Sequence, residues 1–104
     1  MSTLNEVHNN IVQQIERDLT HLSSLELKSM MASGLAEEAG EVNGLYKREL
    51  RNFPKDKPRC TTEHFQEELG DVLWYLVGVA HTHGLTLQDI WDYNVKKLEA
   101  RYGK

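Results

Sequence analysis

Four acidic side chains are the candidates for chemistry in this chain, because they belong to one pattern written twice. Residues 35–42 read LAEEAGEV and residues 65–72 read FQEELGDV, the second copy thirty positions after the first. Within each copy two acids stand three residues apart, Glu38 with Glu41 and Glu68 with Asp71. On a helix that spacing puts both carboxylates on one face. Leu35, Ala39, Val42 and Tyr46 make an apolar stripe beside the first pair, and Phe65, Leu69, Val72 and Leu76 make one beside the second. The two pairs are also mirror-placed about the junction of Pro54 and Lys55, so an antiparallel hairpin folding there brings all four acids to one level.

Carboxylates crowded at the rim of an apolar face repel one another and resist desolvation. A solvated acidic face is the alternative, but a Lys or Arg three or four positions away would then be the ordinary partner. None of the four acids has one. A divalent cation resolves the conflict, and oxygen-only ligands suit a hard ion such as Mg²⁺, which shares itself between carboxylates and substrate phosphates. Di-iron carboxylate bundles use Glu-x-x-His pairs, whereas the fourth positions here are Glu41 and Asp71. That difference favours hydrolysis at a phosphate over redox chemistry. In such a site a metal-bound water is acidified, and a carboxylate with a free oxygen takes its proton.

Other reactive side chains lack the required geometry. His81 and His83 are two apart and point to opposite sides of a helix, so they cannot hold one metal together. Cys60 has no evident base partner for a nucleophilic role, and as a single cysteine it forms no internal disulfide. Trp74 and Tyr75 follow the second acid pair. Tyr75 falls near the edge that carries Glu68 and Asp71, where an aromatic ring can stack on a base.

The elements that must position these groups are all helical. Leu4, Val7, Ile11, Ile15, Leu19 and Leu22 recur with a helical period over residues 4–22, opened by a Thr3/Glu6 capping box. Ser23 and Glu26 open a second helix, which runs through the first acidic copy to about Leu50, with Gly34, Gly40 and Gly44 as possible bends. The paired Gly40 and Gly70 suggest close approach of another backbone. Residues 51–62 contain both prolines with Arg51, Lys55, Lys57 and Arg59, an exposed basic loop that could reach a phosphate tail. Thr61 or Thr62 caps the most apolar helix, which ends at Gly84 and should be central. Thr86 and Asp89 open the last, with Leu87, Ile90, Trp91 and Leu98 expected to face inward and Asn94, Lys97 and Arg101 forming a polar row.

The expected fold is therefore all-α: a four-to-five-helix bundle over residues 1–104 as one domain, with a central antiparallel pair carrying the acidic motifs. A length of 104 residues, 39% hydrophobic and 27% charged, fits one globular core. A net charge of −4 argues against a nucleic-acid polymer as partner. There is no apolar run near membrane length and no signal-peptide pattern, so a soluble cytoplasmic protein without membrane contact is expected.

The words LAEEAGEV and EELGDVLWYL, with the ending Asn94-x-x-Lys97-x-x-x-Arg101-Tyr102, resemble the MazG-type all-α nucleoside triphosphate pyrophosphohydrolases from Met31 to Tyr102. The resemblance implies Mg²⁺-dependent cleavage of a nucleoside triphosphate between its α and β phosphates, with Mn²⁺ able to substitute. It implies assembly as a homodimer or homotetramer with sites completed near subunit interfaces. By position it makes Glu38, Glu41, Glu68 and Asp71 the metal-binding and catalytic acids, with one of the first pair activating the water. Asn94, Lys97 and Arg101 would meet the phosphates or sugar, and Tyr75 would lie by the base. The expected role is clearance of unwanted nucleotides. Phosphoribosyl-ATP pyrophosphohydrolase activity and a non-catalytic, metal-stabilised helical binding module are the alternatives.

Overall fold

The computed structural model describes residues 1–52 and 60–103. They form four helices and no strand: α1 (Leu4–Asp18), α2 (Ser24–Asn52), α3 (Thr62–Thr82) and α4 (Leu87–Tyr102). The starts are set by local chemistry. Thr3 and Glu6, Ser23 and Glu26, and Thr86 and Asp89 each exchange side-chain and backbone hydrogen bonds in a capping box. Thr61 caps α3 in the same way, with His64 in place of the usual acid. The α3 to α4 turn passes through Gly84 at φ 69°, a left-handed conformation that glycine adopts without a Cβ clash.

Two boundaries differ from expectation. The first helix ends at Asp18, and Leu19, half-buried, caps it rather than continuing it. The second runs unbroken past Leu50 to Asn52, so Arg51 belongs to a helix and not to a loop. Its glycines do not end it. A Cβ on Gly40 or Gly70 would meet nothing, so no neighbouring backbone within the chain explains that pair. The close approaches fall at other glycines: Gly34 lies under the Tyr75 ring and Gly78 under Met31. Lys55, Lys57 and Arg59 lie outside the described residues.

α2 and α3 pack against each other along their length, as the mirror spacing requires, and α1 crosses α3 and touches α4. The core is small. Ile11, Ile15, Met31, Val77 and Leu87 form its buried centre, with Leu27, Trp74, Tyr75, Leu76 and Val79 packed around it. Toward the far end of the hairpin Tyr46 of α2 contacts Phe65 of α3, ring centroids 4.9 Å apart. His8 is also interior, 4% exposed, with Nδ1 unpartnered. Burial first, and the nearby His81 second, hold its pKa below the ordinary histidine value despite an opposing pull from Asp89.

The last helix is not arranged as expected. Leu87 is buried, but Ile90, Trp91 and Leu98 are exposed, at 36%, 56% and 39%. The reason is geometric: among the described residues α4 docks on α1, and no second helix closes over its length. Ile90 and Trp91 instead line an open groove with Leu4, Leu73, Leu76 and Leu85, of about 1050 Å³.

Candidate active site

The acidic motifs sit on the facing surfaces of α2 and α3. Carboxylate oxygens of Glu38, Glu68 and Asp71 lie within 4.8 Å of one another, and so do those of Glu37, Glu38 and Glu41. Glu38 belongs to both groups and joins the two pairs. Glu37 was not singled out from the sequence; it is the extra acid of the EE doublet, one turn before Glu41, and that spacing was the available signal.

The electrostatics are those of a cluster short of positive charge. Loss of solvation first, and then the charges of Glu41, Asp71 and Glu68, raise the Glu38 carboxyl above its ordinary value. Glu68 is raised by the same first cause and then by Glu41 and Asp71. Among the described residues the ion pairs are Arg17 with Asp18 and His81 with Glu16, neither of which reaches the cluster. Glu68 Oε2 is buried without a hydrogen-bond donor. An acceptor hidden from water and lacking a donor is costly. A divalent cation held by Glu38, Glu68 and Asp71, with Glu41 alongside, meets that need, so the residues present fit such an ion.

Beside the acids lies a pocket of about 330 Å³ lined by Glu38, Asp71, Trp74 and Tyr75. The two aromatic rings stand edge to face, centroids 5.1 Å apart at 78°. Tyr75 is thus where the sequence placed it. Asn94, Lys97 and Arg101 lie apart from it on α4: Lys97 and Arg101 line a separate depression with Tyr93 and Lys96, and Asn94 lines the apolar groove. Among the described residues the cation row and the acid cluster line different pockets, and α4 packs on α1. Cys60 is half-buried, its N–H donating to Glu49 and its Sγ to the Leu45 carbonyl. It takes a structural place at the end of the hairpin. A residue that sequence reasoning passed over bonds a side chain that lines the pocket: Gln14 of α1 accepts a hydrogen bond from the Trp74 indole at 3.0 Å.

Among the described residues, two Glu-x-x-Glu/Asp pairs converge between antiparallel helices of an all-α fold, an arrangement that could hold a divalent ion. Residues 26–104 match the MazG nucleotide pyrophosphohydrolase domain, and the chain belongs to that family. It is also 33% identical over 78 residues to the Gene 37 protein of Mycobacterium phage L5, covering 75% of this chain and 68% of that one. No solved structure matches. No helix among the described residues is long and apolar enough to cross a membrane.

Proposed function

We propose that this chain is a Mg²⁺-dependent nucleotide pyrophosphohydrolase that converts a (deoxy)nucleoside triphosphate to the monophosphate and pyrophosphate. The observation that carries the reading is the meeting of Glu38, Glu41, Glu68 and Asp71 beside an aromatic-lined pocket, with a buried Glu68 oxygen left for a cation. Mg²⁺, or Mn²⁺ in its place, would be held by those acids and would neutralise phosphate charge and acidify water at the site. Glu41 is exposed and shares only one of the two acid groups, so it keeps an oxygen free to take a proton from water. The water oxygen bonds to the α-phosphorus, the bond to the α–β bridging oxygen breaks, and pyrophosphate leaves with that electron pair. Tyr75 lies by the base.

A homo-oligomer completes the picture. The radius of gyration is 17.0 Å, against about 13 Å for a compact chain of this length. The long α2–α3 hairpin accounts for the excess and leaves the apolar groove open for a second copy, which would also supply the route by which Asn94, Lys97 and Arg101 meet the phosphates or sugar. The substrate is a small nucleotide and not a polymer, consistent with the acidic charge balance. The biological role is clearance of surplus or damaged nucleotides in the cytoplasm.

A panel of NTPs and dNTPs, each with Mg²⁺ and with EDTA, tests the reading. Turnover by the wild type that disappears with EDTA and falls about 100-fold or more in Glu38→Gln is the expected result. Turnover that ignores both metal and substitution removes it.

A further inference from the structure

The family match begins at residue 26, so α1 lies outside it, yet α1 bonds a side chain that lines the pocket. Gln14 Nε2 donates to Asn10 Oδ1 one turn earlier, at 3.4 Å. With its amide held that way, Gln14 Oε1 accepts from Trp74 Nε1 at 3.0 Å, a contact spanning sixty positions of sequence. Both Gln14 and Trp74 are half-buried. The indole has a single donor and no acceptor, so this bond adds a directional constraint on the ring to its core packing and its edge-to-face contact with Tyr75. That plane is a wall of the pocket that also holds Glu38, Asp71 and Tyr75. Tyr75 has its own support, since its ring is seated over Gly34 of α2. For Trp74 the polar constraint comes from α1.

We propose that Gln14 is a positioning residue for the nucleotide: it orients Trp74 so that the indole, set edge to face with Tyr75, forms the wall against which the planar base of a metal-bound triphosphate packs. The inference rests on the pyrophosphohydrolase reading and extends it to a helix outside the family match. Acids at one end of the pocket take the phosphate side of the substrate through the cation, which leaves the aromatic end for the base. A rotated indole costs base packing and leaves the phosphate chemistry where it was.

Steady-state kinetics of the full chain on its best dNTP, with Mg²⁺, test this. Gln14→Met keeps the length and removes the acceptor; KM is expected to rise about fivefold with kcat staying within about twofold. Gln14→Glu retains an acceptor oxygen and restores KM. Trp74→Phe removes the donor and raises KM similarly, and adding Gln14→Met to it changes nothing further. As the second readout, in a Trp91→Phe background Trp74 is the one remaining tryptophan of the two, and its free-state emission is expected to shift to the red in Gln14→Met. An unchanged KM in Gln14→Met, a loss confined to kcat and melting temperature, or a full further effect of Gln14→Met on top of Trp74→Phe overturns the proposal. Absence of turnover by the wild type on every nucleotide is a separate outcome, which removes the pyrophosphohydrolase reading and this inference with it.

Discussion

At the scale of single residues, the protein is defined by charge it has not neutralised. Glu38 and Glu68 have raised carboxyl pKa values because solvation is lost and neighbouring acids repel. The folded state therefore holds protons more tightly than the unfolded chain just above the ordinary glutamate value of 4.5. Stability from this source is present at low pH and is lost as pH rises through the raised folded values. At neutral pH the metal-free protein carries the full repulsion. Thermal melting at pH 7.5 should accordingly show a higher Tm with millimolar Mg²⁺ than with EDTA. The increment should shrink toward pH 4, where protons replace the cation, and vanish in Glu68→Gln. A Tm indifferent to Mg²⁺ in the wild type would place the cation elsewhere. The acids themselves were legible from sequence because a doubled motif with no basic residue at helical neighbour positions has few structural explanations.

At the scale of helices, the site is made by how closely α2 and α3 run. The mirror spacing of the two motifs was enough to predict their meeting, because two uninterrupted antiparallel helices leave little freedom in register. Which glycine serves the crossing was not legible. Gly40 and Gly70 sit in the repeated motif and face open space, while Gly34, outside it, lies against the Tyr75 ring; periodicity shows that a glycine is on a face but not which side chain crosses it. Gly34→Ala should push the Tyr75 ring from its seat. Overpacking of this kind costs about 1–3 kcal/mol, exceeding the roughly 1 kcal/mol that alanine adds to a helix interior. Urea unfolding should show a net loss of stability, together with a raised KM for nucleotide. A variant as stable as the wild type with unchanged KM would mean that the ring is free to move without consequence. The Gln14 to Trp74 bond was likewise hidden, since it joins two amphipathic faces across sixty positions and no local pattern marks it.

At the scale of the whole molecule, the chain is more open than one core explains. Sequence periodicity put Ile90, Trp91 and Leu98 on an inward face of α4 but could not say whether that face is covered by the same chain. It is not: Trp91 is 56% and Tyr93 74% exposed, on a groove that also takes in Leu73, Leu76 and Leu85. Large contiguous apolar patches on soluble proteins mark interaction surfaces, and stable interfaces bury on the order of 1,600 Å². Sedimentation at micromolar concentration should give a mass that is a multiple of the 12.0 kDa chain. Trp91→Asp combined with Tyr93→Asp should shift it toward the single chain and lower turnover with it. A wild type that stays monomeric at every concentration would leave Lys97 and Arg101 without a path to the acids.

The central claim, that these acids hold a cation against a triphosphate for attack at the α-phosphorus, is tested most directly by resolving the products. With the preferred dNTP and Mg²⁺, ion-exchange separation of the reaction should show monophosphate and pyrophosphate appearing in equal amounts, and neither in Glu68→Gln. Diphosphate with orthophosphate in their place, or the same products at an undiminished rate from Glu68→Gln, would contradict it.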